Sequence, residues 1–246
     1  MTVTVQPQSA STKARKALRP RDAASLLLID RSGARPRILM GRRHSSLVFM
    51  PGKFVFPGGR ADPADGSIAA ASELSHSDTQ KLLTGMGARA TIRRTRALGL
   101  CAIRETFEET GLRIAHASPD EIPRPSHHDW CAFFESGLLP ALGSLRYFAR
   151  AVTPTDYVRR FDTRFFIAFR DSLPGLHNQK LAPSGELEDL DWVPIDDINK
   201  LDVARITQTI LKEAQALLTD TRLDLPAALP VVQYRKRHGR FVREVI

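Results

Sequence analysis

The segment "CAIRETFEETGL", residues 101–112, places Glu108 and Glu109 three and four positions after Glu105. On a helix those offsets stack all three carboxylates on one face over a single turn. Gly111 follows at once and reads as the residue that stops the helix. The carboxylates of the last turn therefore meet the negative end of the helix dipole as well as one another. An i,i+4 pair between Arg104 and Glu108 offsets part of that repulsion, as on any solvated helix face. A divalent cation offsets more, because clustered hard oxygens are what Mg²⁺ selects, with waters and a substrate phosphate completing its shell. Taken alone, the segment leaves both readings open.

The chain of 246 residues is long enough for one large domain with a buried core. At 42% hydrophobic and 26% charged residues it has the composition of a globular protein. No apolar run reaches the length of a membrane span, and residues 1–25 lack the apolar centre of a secretory signal. Two cysteines, Cys101 and Cys131, provide no disulfide framework and suit a reducing compartment. The cytoplasm is the expected location, or a mitochondrion in a eukaryote, since the first 20 residues are Ser/Thr-rich and free of acids. Residues 1–22 and residues 235–246 each net +4, so nearly all of the formal charge of +9 lies at the two ends. That distribution predicts solvated basic tails at 1–21 and 221–246, with nucleic acid not expected as a partner.

Between the tails, residues 22–220 read as a single domain. "AASLLLID" (23–30) and "RILMGRR" (37–43) pair as a hairpin across "RSGARP", and "KFVFPGG" (53–59) is a third strand stopped by Pro57, Gly58 and Gly59. Residues 60–95 are rich in Ala, Ser and Asp, with a short helix over 77–83, and the glutamate helix runs from about residue 95 to residue 110. Residues 115–140 read as a Pro/His-rich loop and a short helix. Two alternating strands over 145–154 and 163–170, a short strand at 189–195 and an amphipathic helix at 199–218 complete the order. Strands mixed with two long helices predict an α/β or α+β layered domain.

With "FVFPGGR" upstream, the glutamate segment resembles the Nudix hydrolases, whose box is written G-x5-E-x7-R-E-U-x-E-E-x-G-U with U aliphatic. "RETFEETGL" matches the second half with Thr106 at the first U, Gly59 matches the opening glycine, and "GELEDLDWVPIDDI" (185–198) is similar to the family's later acidic strand. The resemblance spans about residues 22–220 and implies an α/β/α sandwich with a mixed sheet between helices. Two departures stand out. The box's first glutamate falls on Asp65, and 31 extra residues separate it from Arg104, so insertions are expected at about 66–95 and 115–140. The position seven before Arg104 is Arg96, not an acid, which puts the structural contact of the first glutamate in doubt. An insertion at this place resembles the coenzyme A-type members, and "LMGRRHSSLVFMPGKFVFPGG" keeps Leu39, Arg43, Gly52 and the final four residues of their signature. It departs from that signature at Gly41, His44 and Val48.

The resemblance implies that Glu105, Glu108 and Glu109 bind Mg²⁺ or Mn²⁺ with a carbonyl from Gly58, that Gly59 and Arg43 border the substrate, and that Arg104 pairs with a glutamate and fixes its rotamer. The general base is Glu105 or an acid of the later loop, Glu186 or Glu188. Arg42, Arg43, Arg159, Arg160 and Arg164 are candidates for phosphate contacts. His127 and His128 are adjacent on a loop, a spacing that argues against a metal pair. Leu100, Ile103 and Phe107 fall opposite the glutamates and are expected in the core, and Trp192 is assigned to packing. The implied activity is metal-dependent hydrolysis of the diphosphate in a nucleoside diphosphate linked to another group, with coenzyme A or its esters foremost. The alternatives are an ADP-ribose or dinucleotide pyrophosphatase, an RNA-directed Nudix enzyme, and a silent nucleotide-binding regulator. Partners are then a small nucleotide diphosphate and no membrane, with a homodimer allowed.

Overall fold

In the computed structural model, residues 18–118, 125, 127–135, 137–155, 157, 159–218, 225–226, 228–237 and 240–246 are described. The apolar run of strand β1 (Arg21–Asp30) decides the architecture, because Ala23 through Asp30 are buried without interruption. A strand buried on both faces needs a layer on each side. Ala24, Leu26 and Leu28 face one core and Leu27 and Ile29 the other.

Around β1 lies a mixed sheet. It pairs in parallel with β8 (Phe161–Phe169) and antiparallel with β2 (Arg37–Arg43) and β4 (Gly58–Arg60). With β3 (Phe54–Val55), β7 (Arg146–Val152), β10 (Val232–Arg237) and β11 (Arg240–Val245) the order is β11-β10-β7-β8-β1-β2-β3. Strand β9 (Leu187–Pro194) pairs with β2. A small sheet of β5 (Ala115–Ala117) and β6 (Leu138–Pro140) stands apart. Helices α1 (His76–Met86) and α2 (Ile92–Thr110) cover one face with Leu82, Leu98, Leu100 and Ile103. Helix α4 (Arg205–Leu217) covers the other with Ile210, Leu211 and Ala214. A four-residue helix, α3 (Cys131–Phe134), inserts Phe133 and Phe134 beneath α2. The fold is the α+β sandwich that the strand and helix pattern predicts. Among the described residues, no helix is long and apolar enough to cross a membrane.

The residues that separate Asp65 from the glutamates leave the sheet and return to it. After a 3-10 turn at Pro63–Ser67 the chain runs to α1, capped by Ser75, and reaches Thr91, whose hydroxyl caps α2. Arg96 ties this excursion down: its guanidinium donates to the carbonyls of Gly66 at 2.6 Å and Ile68 at 2.9 Å and to Glu73 at 2.8 Å. The excursion is therefore a loop with its own short helix, and it packs on the sheet through the buried Ile68, Leu74, Leu82 and Met86.

Three details of the sequence reading change. The third strand divides into β3 and β4 around Pro57, whose carbonyl instead accepts from Leu26 N–H at 3.0 Å and Ser25 Oγ at 2.8 Å. The last helix begins at Arg205, after a 3-10 turn at Ile195–Lys200. The third change is larger. Residues 221–246 are expected as a basic tail, yet β10 and β11 form a hairpin that extends the sheet beside β7. Leu229, Val231 and Val232 are buried, and the basic residues find acids: Arg235 and Arg237 meet Glu244, and Arg243 meets Glu213. A run of positive charge hid a strand whose apolar residues lie at its start. The expected tail at residues 1–21 falls mostly outside the described residues, although Arg21 already opens β1.

Truncation after residue 228 is expected to lower the urea midpoint sharply. A fully buried aliphatic side chain contributes roughly 1.5–3 kcal/mol, and three would be lost. An unchanged midpoint in the truncated protein would show that the hairpin is a passive appendage.

Candidate active site at the end of the glutamate helix

The site grows from one buried cation. Arg104, 6% exposed, reaches from α2 to Asp65, which is 1% exposed. Its Nε donates to Asp65 Oδ1 at 3.1 Å and its Nη2 to Oδ2 at 3.3 Å. Position 96 carries no acid, and it is Asp65 that meets Arg104. The capped 3-10 turn delivers Asp65 to the helix, with Asp62 N–H donating back to Asp65 Oδ2 at 3.1 Å. A third partner comes from beyond the helix: Trp130 Nε1–H donates to Asp65 Oδ1 at 2.9 Å, and its ring is wholly buried. Sequence reasoning missed Trp130, because nothing local pairs it with a residue 65 positions away.

On its other side Arg104 orients the glutamates. Nη1 lies 3.0 Å from Glu105 and 2.8 Å from Glu108. Burial works against the Arg104 charge, but Glu105 and Asp65 more than offset it and hold the guanidinium protonated. Glu109 turns the other way and accepts from Gly58 N–H at 2.9 Å. The helix ends at Gly111 as its position predicts, in the left-handed region with its N–H on Phe107 O at 2.8 Å. Leu100 and Ile103 are fully buried and Phe107 packs on the same core, the assignment made from their spacing.

The paired glycines allow this approach. A Cβ on Gly59 would stand 2.4 Å from the Glu105 carboxylate, and one on Gly58 2.5 Å from Ala24 O. On Gly59 it would displace the Glu105 carboxylate, and on Gly58 it would push β4 off β1.

Burial and mutual repulsion leave the carboxylates short of compensation. Burial pushes Glu109 up to about 8, with Glu105 adding to it and the Gly58 amide opposing it. Burial and the Glu108 charge push Glu105 up to about 7 against the pull of Arg104. Glu108 is raised as well, by burial and by Asp129. A divalent cation is the partner that such a set fits: clustered, buried oxygen donors whose ionised form lacks enough positive charge around it. As placed, the three carboxylates are held by Arg104 and Gly58. Among the described residues, only His127, His128 and Asp129 have three donor atoms already within 4.8 Å of one another.

Other predicted site residues divide. Arg43 lies close enough for its charge to lower Glu109, and its Nε donates to Phe49 O at 2.9 Å, closing the turn before Gly52. Glu186 sits on the exposed loop before β9, and its charge also reaches Glu109. Glu188 is committed elsewhere, 3.6 Å from Arg42 and 3.5 Å from His44. Arg164 is not available to a phosphate. It is 1% exposed and bound at 3.1 Å to both Asp22 and Asp162. Arg160 donates to the carbonyls of Thr153 and Leu18. Trp192 packs against the core under Arg170, as its assignment to packing requires.

Asp65→Asn removes one of the three carboxylates that meet the buried Arg104, and a loss of roughly 1–3 kcal/mol in unfolding free energy is expected. Trp130→Phe keeps the packing and removes one hydrogen bond to a charged group, for an expected loss of about 1–3 kcal/mol. Equal urea midpoints for both variants and the parent would remove Asp65 from the centre of the site.

No family model matches the chain. A Caenorhabditis elegans protein named nudix hydrolase 7, a designation given on a provisional basis, is 24% identical over 182 residues, which are 70% of this chain and 51% of that one. The chain thus spans about half the length of that curated relative. The crystal structure of a NUDIX hydrolase from Alicyclobacillus acidocaldarius superposes with a TM-score of 0.58 at 29% identity, covering 79% of this chain and 90% of the other. With that fold, and with Gly59, Arg104, Glu105, Glu108 and Glu109 assembled at one helix end, the chain belongs to the Nudix hydrolase superfamily.

Proposed function

We propose that the protein is a metal-dependent hydrolase that cuts the diphosphate of a nucleoside diphosphate linked to another group, with coenzyme A or its esters as the leading substrate. One observation carries this reading: three carboxylates converge at one helix end, and burial holds two of them at about 7 and about 8. So much uncompensated charge is costly unless a cation and an anionic ligand share the site.

Glu105, Glu108 and Glu109 would hold Mg²⁺ or Mn²⁺, with the Gly58 carbonyl beside them. When bound, the cation polarises the phosphoryl oxygens and acidifies a water. The chain's own residues do the rest. Arg104 keeps Glu105 and Glu108 in place, anchored in turn by Asp65 and Trp130. Arg43 would meet a phosphate, and Glu186, or Glu105 itself, would take the proton of the attacking water. The choice of coenzyme A rests on the interrupted box and on Arg43 and Gly52. Both cysteines are free, with Cys101 buried and Cys131 exposed, which supports a reducing compartment such as the cytoplasm.

A Mg²⁺- or Mn²⁺-supplemented panel of coenzyme A, ADP-ribose, dinucleotides, nucleoside triphosphates and capped RNA tests the reading. With coenzyme A the expected products are 3′,5′-ADP and 4′-phosphopantetheine, and Arg43→Ala is expected to weaken use of coenzyme A more than of ADP-ribose. A tenfold preference for ADP-ribose or a dinucleotide would overturn the coenzyme A assignment and leave the diphosphatase standing. No cleavage of any diphosphate would favour the silent regulator.

Glu108→Gln and Glu109→Gln are each expected to lower turnover by orders of magnitude with the fold kept. Near-parental rates at saturating Mg²⁺ would reject the metal assignment.

The raised carboxyls also predict a pH dependence in the metal-free protein. Groups at 4.5 when unfolded and at about 7 and 8 when folded bind more protons in the native state. Stability therefore falls as pH rises from about 4.5 through 8. Glu109→Gln is expected to raise the melting temperature at pH 8 and to leave it nearly unchanged at pH 4. A variant that melts lower than the parent at pH 8 would contradict this sign.

A further inference from the structure

We propose that His127, His128 and Asp129 form a binding site for a nitrogen-preferring divalent transition ion, of which zinc is the type. The site is separate from the glutamates and stands beside them. This inference does not depend on the hydrolase reading.

The donors are already gathered. His127 Nδ1 lies 3.4 Å from Asp129 Oδ2, and His128 Nε2 lies 2.6 Å from Asp129 Oδ1. All three donor atoms fall within 4.8 Å of one another. Zinc bound at about 2.0–2.2 Å to tetrahedral ligands needs its donors about 3.3 Å apart, so small rotations would close the set. The imidazoles stack at 4.9 Å with 30° between their planes, each near one oxygen of the Asp129 carboxylate.

His127 Nδ1 supplies a second observation. The atom is buried and makes no hydrogen bond among the described residues, a cost that a bound ion would remove. The adjacent residues alone argue against a metal pair. What the spacing does not show is the Asp129 carboxylate, which reaches both rings.

The position is also anchored to the core. Trp130, the next residue, is buried and bound to Asp65, and its N–H donates to His127 O at 3.1 Å. The three ligands thus start from a fixed backbone, which lowers the ordering cost of binding an ion. His128 is 87% exposed, which leaves room for water or a phosphate oxygen to complete the shell. Asp129 is near enough to Glu108 for its charge to be felt there, so an ion at this site would place positive charge beside the glutamate end of α2. Two imidazoles among three donors select zinc, cobalt or nickel over Mg²⁺, which prefers an all-oxygen octahedron.

The test titrates Co²⁺ into the full chain with excess Mg²⁺ present to occupy the glutamates, reading the visible d–d absorption and then its displacement by Zn²⁺. One equivalent is expected to bind in the parent and in the Glu105→Gln, Glu108→Gln, Glu109→Gln triple variant. His128→Ala, at an exposed position where the fold is not at stake, is expected to weaken Co²⁺ binding tenfold or more, and His127→Gln likewise. Weakening of less than tenfold in His128→Ala, or loss of the Co²⁺ signal in the triple glutamate variant, would overturn the site.

Discussion

A single guanidinium organises the site. Arg104 is buried between Asp65 on one side and Glu105 and Glu108 on the other. A charge in that position is tolerated only when its donors are met, and once they are met the geometry around it is stiff. Asp65 fixes where the 3-10 turn must sit, the turn fixes how β4 approaches α2, and Trp130 draws the chain beyond the helix onto the same carboxylate. Gly58 then lets β4 lie close on β1, where its amide reaches Glu109, and Gly59 leaves room for the Glu105 carboxylate.

That arrangement explains why so long an interruption does not dissolve the site. The inserted chain leaves at Asp65 and returns at the start of α2, and Arg96 joins its two ends through the carbonyls of Gly66 and Ile68. The extra length packs over the core through Ile68, Leu74, Leu82 and Met86, and closing a loop of that length costs little more than closing a short one. The residues at its two ends still meet in the interior. Asp65 is held by the turn that carries it and by the indole that supports it.

The energetic cost of the site is electrostatic. Arg104 offsets part of the charge of Glu105 and Glu108, and one amide serves Glu109. Burial does the rest, lifting Glu105 and Glu109 toward neutrality. A fold that holds such a cluster spends stability on a site, as binding centres commonly do. Elsewhere the same chain pairs its charges closely: Arg164 with Asp22 and Asp162, and Arg243 with Glu213. The contrast marks the glutamate end of α2 as the place where charge is left for a ligand to balance.

The amino-acid order by itself determined the local elements. The three- and four-residue spacing of the glutamates, the stop at Gly111, the apolar run of β1 and the glycine pair were all legible, because each depends on neighbours within a turn or a strand. The pattern of "RETFEETGL" after "FPGG" was enough to indicate the superfamily. Only the tertiary structure decided which distant residues meet. The pairing of Asp65 with Arg104 across 39 positions, the indole of Trp130 on the same acid, the burial of Arg164 and the docking of the basic C-terminal hairpin depend on the path of the chain between them. Periodicity carries no record of that path. A charge reads alike in sequence whether solvent or a buried counter-ion receives it, and only its surroundings in the fold settle which.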